Sequence, residues 1–554
     1  MGSLLHPRDA GDAVNTLAAR LEAIATTYSA RPALIFQDRA VSFARLAADA
    51  RAAAAALARL GVSKGTRVAI LMPNRPDWLR CAFGIWHLGA ILVPINTLFR
   101  ATELAHALRH ADVTVLLAVS RFLNHDYQAV LADLCPELDR PERPIRSAAL
   151  PCLRSVVLDG EPRPRGAIAW NDLIAWGHGT PDKWPSAARE AVVPSDDAAI
   201  FFTSGSTATP KGVVHTHAGL LQSTDNVADR LGLDSDDRTW GYLPFFFNGG
   251  LVGVALATLF RGGAVLLQEV FDAAETFSLM QQHGCTTLFA WPHQVEALIR
   301  LPNFDRSKLR IRKGVGANTP WAAKLYPPDH HAVSAWGMTE TGPMAASSRF
   351  DDALALRVSA HGRAMPGLDI CVVDPETGRP LPANVDGEII VRGSSLMRTY
   401  YKHSPADCFD ADGFFHTGDC GRLDETGHLH FLGRIKDVIK AAGVSVAAAE
   451  IEAVLLAYAG IKIAHVVPVP DPTRGENIAA FVVAGDTPCT EEEILAHCRS
   501  NLASYKVPLH VFLCREDELP TLGSGKVDRR QLRALAAERA GRVESRRSKV
   551  EGER

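Results

Sequence analysis

The run Ala198-Ala-Ile-Phe-Phe-Thr203-Ser-Gly-Ser-Thr-Ala-Thr-Pro-Lys-Gly212 passes from five apolar positions into a loop of hydroxyls, glycines and one cation. The apolar part is short and bounded, which predicts a buried strand. Behind it, backbone N–H groups and hydroxyl donors can converge on one concavity, and Lys211 adds positive charge. That set suits a polyphosphate. The loop is not a Walker A sequence, because no Gly-Lys-Ser/Thr triplet follows four spacers. Read alone, the same residues suit a Ser/Thr/Gly/Pro surface turn equally well.

Outward from this run, helices and strands alternate. The spacing predicts helices over Ala44 to Leu60, Asp77 to Leu88 and Thr102 to His110. It predicts strands over Thr66 to Met72, Ala90 to Pro94 and Val113 to Val119. Such alternation argues for parallel sheets with helical crossovers. Residues 139–195 carry eight prolines and read as loops with an excursion. From about Gly362 the texture becomes β-rich, with runs at Asp369 to Val373, Glu388 to Val391 and His428 to Leu432. Turn signals at Asp410-Ala-Asp-Gly413 and Asp424-Glu-Thr-Gly427 separate them. After Gly433 another α/β stretch follows, with helices over Ala448 to Tyr458 and Glu491 to Asn501. Its strands fall at Ile463 to Val469 and Ile478 to Val483. The last 17 residues carry ten charges and read as a helix end with a solvated tail. The expected fold is α/β. A large N-terminal lobe (1–433), including a small β-rich subdomain, precedes a smaller C-terminal α/β domain (434–554).

Composition excludes several classes. With 554 residues, 47% apolar and 22% charged, the chain is ordinary globular protein, too long for one core. A net charge of −3 provides no basic field for nucleic acid. Ten scattered cysteines without a C-x-x-C pair fit a reducing cytoplasm rather than a disulfide scaffold or zinc ribbon. Neither end matches a secretory, lipidation or retrieval signal. Thr239 to Phe260 is uncharged for 22 residues, but Pro244, Asn248, Gly249 and Gly250 interrupt it, so a buried core segment is expected rather than a membrane span. His215-x-His217 has no third metal ligand nearby and reads as packing. No Gly-x-Ser-x-Gly elbow or His-Glu-x-x-His helix supports a hydrolase.

Four further motifs follow the loop in order: Trp336-Gly-Met-Thr-Glu-Thr-Gly342, His416-Thr-Gly-Asp419, Gly433-Arg-Ile-Lys-Asp-Val-Ile-Lys440 and Pro520-Thr-Leu-Gly-Ser-Gly-Lys526. With the 203–212 loop, and over about Val41 to Leu532, the chain resembles the ANL superfamily of adenylate-forming enzymes, closest to acyl-CoA synthetases. The resemblance implies use of ATP, Mg²⁺ and CoA on a small-molecule carboxylic acid. It assigns the phosphate loop to Thr203, Ser204, Gly205, Ser206, Thr207 and Lys211. The adenine segment becomes Trp336, Gly337 and Met338, with Gly316 and Ala317, and Thr339 a phosphate ligand. Glu340 takes the metal, as a hard oxygen donor should. Asp419 and Arg434 fall to the ribose. Lys526 becomes the catalytic cation that balances charge between carboxylate and α-phosphate. Lys436 is the expected hinge, and Ala442 and Gly443 the element that meets CoA.

The sequence also departs from the family pattern. Ala208 and Thr399 stand where Gly is usual, Ala448 where Pro is usual, and Phe247 replaces a frequent histidine. The segment from Gly314 to Trp336 looks short. Phe246, Phe247, Asn248, Gly249 and Val315, with Gly316, Ala317 and Met338, are the expected acyl pocket. It is uncharged and aromatic, so it favours an apolar acid: fatty, alicyclic or aryl. The expectation is therefore an AMP-forming acyl-CoA synthetase. The alternatives are delivery of the acyl group to a carrier protein or other acceptor, and a non-catalytic binder on the same fold. Oligomeric state is not legible.

Overall fold

A computed structural model describes residues 15–178, 183–203, 210–435, 438–441, 444–471, 475–485, 487–502, 506–522 and 527–552. The chain divides into two compact units, Met1–Asp369 with Val391–Phe415, and Ile370–Ile390 with His416–Arg554.

The first unit is built on two large sheets, beside a three-stranded one of Ala335–Met338, Gly342–Ser347 and Arg363–Ala364 and a short two-stranded one. The larger orders Thr399–Tyr400, Lys211–Thr216, Asp197–Thr203, Ile91–Pro94, Arg67–Leu71, Val115–Val119, Ser155–Asp159 and Ile168–Ala169. From Asp197–Thr203 to Ile168–Ala169 its neighbours are parallel; the two strands at the other edge are antiparallel. The second sheet orders Lys313–Gly314, Thr287–Leu288, Arg238–Gly241, Ala264–Leu267, Pro32–Phe36 and Arg39–Ser42, parallel but for the last pair. Buried parallel strands read as unbroken apolar runs, and Val115–Val119 is buried throughout.

The expected alternation is present. The helix Phe43–Arg59 starts on a Ser42 side-chain cap, and Pro76–His87 starts on a proline in its first turn. These two helices pack closely because one side is alanine and the other is Gly84. A Cβ on Gly84 would lie 2.8 Å from the Ala53 Cβ and 2.9 Å from the Ala54 nitrogen. Trp78, Phe83 and Trp86 are fully buried, and their rings supply much of the core's apolar area.

Two expectations are corrected. Residues 139–195 are not merely loops: Ser155–Asp159 joins the large sheet beside Val115–Val119, and Trp170–His178 is a helix. Pro151 and Pro162 lie outside that strand, while Val156, Val157 and Leu158 are buried in it. The charged C-terminal stretch continues one helix, Arg529–Gly552. Leu532, Ala536 and Ala540 recur at i,i+4 as its buried stripe, and Glu538 pairs with Arg542 at 2.6 Å. The uncharged 239–260 run is a core segment, as expected. It holds a strand end, an aromatic loop and a π-helix, Gly249–Leu256, buried from Gly250 onward. Among the described residues no helix is long and apolar enough to cross a membrane.

In the second unit a four-stranded sheet orders Leu368–Val373, Gly387–Gly393, Phe415–Leu423 and Leu429–Arg434. Beyond it, Val444–Ala447, Val438–Ala441, Gly475–Ala484 and Ile461–Asp471 form a second sheet, with His510–Leu513 beside Gly475–Ala484.

Candidate active site

In the first unit the sites gather where parallel strands end, the edge at which α/β sheets bind ligands. Thr203 ends one strand and Lys211 opens its antiparallel neighbour, directly opposite. Ser204, Gly205, Ser206, Thr207 and Ala208, between them, lie outside the described residues. The Lys211 Nζ stands 4.7 Å from the centroid of the Tyr400 ring, a cation–π contact. The Tyr400 hydroxyl donates to Glu340 Oε1 at 2.8 Å. Tyr400 therefore links Lys211, the expected phosphate-loop lysine, to the expected metal ligand, a contact not anticipated from the sequence. The adjoining Thr399 keeps ordinary backbone, outside the positive-φ positions, and donates to the His403 carbonyl at 3.0 Å, so glycine is not required there.

Glu340 lies in a single 3₁₀ turn, Thr339–Thr341, between the strands Ala335–Met338 and Gly342–Ser347. Two main-chain carbonyls hold the turn. Thr339 accepts from His215 Nε2 at 2.7 Å and from Asn248 Nδ2 at 3.2 Å, and Glu340 accepts from the Met397 amide at 2.8 Å. Glu340 is 6% exposed, and its carboxylate accepts from Tyr400 and has no ion pair among the described residues. A buried carboxylate with a hydroxyl partner but no cation fits Mg²⁺, which keeps waters and substrate phosphates as its other ligands and needs only one or two carboxylates. Trp336 is 5% exposed, Met338 and Thr339 are half-buried, and Gly337 is exposed.

The acyl-pocket candidates follow three neighbouring strand ends, Gly241, Leu288 and Gly314. Asn74 shapes the first loop: it donates to the Gly241 and Leu243 carbonyls at 2.7 and 2.9 Å and accepts from the Phe245 amide at 2.9 Å. Phe246 and Phe247 pack ring to ring, centroids 4.6 Å apart, and Phe247 meets Trp291 at 6.1 Å. Phe247 thus belongs to an aromatic wall, with Trp291 an unforeseen member. Gly249 is half-buried at the start of the π-helix. Asn248 points instead to the Thr339 carbonyl and is 3% exposed. Gly314 and Gly316 both take positive φ, and a Cβ at Gly316 would meet Trp321 at 2.7 Å. Gly316 and Ala317 both donate to the Val333 carbonyl, and Val315, just before them, donates to the Leu288 carbonyl at 3.3 Å.

In the second unit, Asp419 and Arg434 are cross-strand partners. Arg434 Nε lies 2.8 Å from Asp419 Oδ1, off the hydrogen-bond axis, so the contact is Coulombic; its Nη1 donates to the Thr417 carbonyl at 2.8 Å. Gly418 takes φ +69, which turns the chain and buries Asp419 to 3% exposure. Glu388, also missed in the sequence, holds this turn through His416 Nδ1 at 2.8 Å and the Gly418 amide at 3.0 Å. Lys436, Ala442, Gly443 and Lys526 lie outside the described residues. Ala448 opens its helix buried, at a first-turn position where proline is merely allowed.

The packing expected of the two histidines is observed. His217 accepts the Leu17 amide at 3.3 Å, and His215 is wholly buried.

The family described as AMP-binding enzyme matches residues 21–401, and AMP-binding enzyme C-terminal domain matches 450–526. A methyl-dioxo-octahydroindenyl-propanoyl:CoA ligase of Mycobacterium tuberculosis is 34% identical over 532 residues, 94% of this chain and 99% of its own. A 4-coumarate–CoA ligase of Solanum tuberosum is 31% identical over 531 residues, 92% of each chain. The crystal structure of an anthranilate CoA ligase with anthranoyl-AMP superposes with a TM-score of 0.82 at 25% identity, covering 97% of this chain and 100% of that one.

Proposed function

Since the chain belongs to the AMP-binding enzyme family, we propose that it is an ATP-dependent acyl-CoA synthetase for an apolar carboxylic acid. The acid's carboxylate attacks the α-phosphorus of ATP and pyrophosphate leaves, giving acyl-AMP. The CoA thiol then attacks the acyl carbon, loses its proton, and AMP leaves. The relatives are CoA ligases for alicyclic and aryl acids. The Phe246–Phe247–Trp291 wall supports a ring-bearing or fatty tail here.

The roles are assigned as follows. Thr203, the loop 204–207 and Lys211 cradle the phosphates; Thr339 contacts the α-phosphate. Glu340 would hold Mg²⁺, which supplies neutralisation of the departing pyrophosphate when bound. Trp336, Gly337, Met338, Gly316 and Ala317 border the adenine, and Asp419 with Arg434 takes the ribose. Phe246, Phe247, Gly249 and Val315 border the acyl group, with Asn248 behind them turned to the Thr339 carbonyl. Lys526 steadies charge in the first step. Residues 434–554 act as the mobile C-terminal domain, hinged near Lys436, and Ala442 and Gly443 meet CoA. We place the enzyme in the reducing cytoplasm, which its ten scattered cysteines favour.

The observation that most supports this reading is the buried Glu340 carboxylate without a cationic partner among the described residues. Glu340→Gln keeps the tyrosine hydrogen bond and removes the charge. It should lower acid-dependent pyrophosphate release by about 100-fold or more. Lys526→Ala should abolish chiefly the adenylation step, while transfer from supplied acyl-AMP to CoA persists. Normal adenylation in either variant contradicts the assignment.

A further inference from the structure

We propose that His215 and Asn248 form a positioning clamp on the Thr339 carbonyl, which sets the Thr339–Glu340 turn for catalysis. The proposal rests on the function given above. Both side chains donate to one oxygen, at 2.7 and 3.2 Å, from elements 124 and 91 residues away in sequence. His215 comes from the Lys211–Thr216 strand, four residues beyond Lys211. Asn248 immediately precedes the π-helix Gly249–Leu256 and adjoins Phe247 of the aromatic wall. One carbonyl thus ties the phosphate loop's strand, the acyl loop and the carboxylate turn together. The next carbonyl, that of Glu340, is held separately by the Met397 amide.

Packing alone does not explain these residues. The clamp leaves two buried atoms, His215 Nδ1 and Asn248 Oδ1, without a hydrogen-bond partner among the described residues. Such orphaned groups cost free energy that a leucine at the same place would avoid. What the polar pair supplies is two directed N–H donors. Because the carbonyl can only accept, His215 must carry its proton on Nε2. His215 is fully buried, so it touches neither solvent nor substrate and acts through Thr339. A turn released from the clamp would let Glu340 and the Thr339 hydroxyl drift, and small displacements of positioning groups lower turnover steeply.

The test uses the full-length protein and follows pyrophosphate release against Mg²⁺ and acid concentration. His215→Leu should lower kcat for adenylation about 10- to 100-fold and raise the Mg²⁺ concentration at half-maximal rate. KM for the acid should stay near that of the parent. His215→Gln, which keeps a donor, should recover much of the loss. Asn248→Leu tests the second donor if His215→Leu does not fold, and should also shift the Mg²⁺ dependence. A folded His215→Leu with parental kcat and Mg²⁺ dependence overturns the clamp. So does a loss that His215→Gln fails to rescue. If the parent releases no pyrophosphate with any acid, the synthetase reading fails by itself. The clamp is then read from ATP binding: His215→Leu should weaken it in Mg²⁺ but not without Mg²⁺, and equal weakening in both overturns the clamp.

Discussion

Two histidines two positions apart, His215 and His217, are both fully buried, and burial pushes both well below the usual imidazole range, to about 4. A group with a folded pKa of about 4 and an unfolded pKa of 6.5 binds fewer protons when folded. Its stabilisation is therefore full above pH 6.5 and is lost as pH falls toward 4. By linkage each histidine carries roughly 3 kcal/mol across that window. Urea unfolding followed between pH 7.5 and 4.5 should show stability falling, and a His215→Leu, His217→Leu double variant should flatten the curve. An unchanged slope contradicts this. At this scale the motif residues were recognisable as candidates because each lies in a short local pattern. Asn74, Glu388, Tyr400 and the bond from His215 to Thr339 were not. Each works through a partner distant in sequence that only the folded chain brings close.

Among the elements, the helices and strands from Phe43 to Val119 were legible to within about two positions, because caps, glycine stops and apolar runs coincide there, whereas the helix Leu17–Thr27 and the strands Pro32–Phe36 and Arg39–Ser42 were not anticipated. The Ser155–Asp159 strand was masked by flanking prolines. The π-helix was hidden by an apolar run with no polar face to set a period. The tight crossing of Phe43–Arg59 with Pro76–His87 gives a prediction with an informative sign. Gly84→Ala improves helix propensity by about 1 kcal/mol, yet its Cβ would press on the Ala54 nitrogen and the Ala50 carbonyl oxygen, at 2.9 and 3.1 Å. Main chain cannot step aside cheaply, so a net loss of about 1–3 kcal/mol is expected in denaturant unfolding. A stabilised variant would show that the helices separate freely.

At the scale of the molecule, the α/β class and the larger and smaller parts followed from motif order and texture. The two compact units divide within the β-rich sheet, with Ile370–Ile390 in the C-terminal one. The strands of that sheet follow in chain order, so the texture of the sequence marks no break within it. If the C-terminal domain turns about Lys436 between the two half-reactions, fixing that residue's φ with Lys436→Pro should spare pyrophosphate release and stop thioester formation. Equal loss of both would contradict a hinge at that position. The central claim is most directly tested by pyrophosphate release from the purified protein with ATP, Mg²⁺ and a panel of fatty, alicyclic and aryl acids, each with and without CoA. Release should require one acid class, accelerate with CoA and yield the matching acyl-CoA. Release indifferent to CoA, with no thioester formed from any acid, would contradict it.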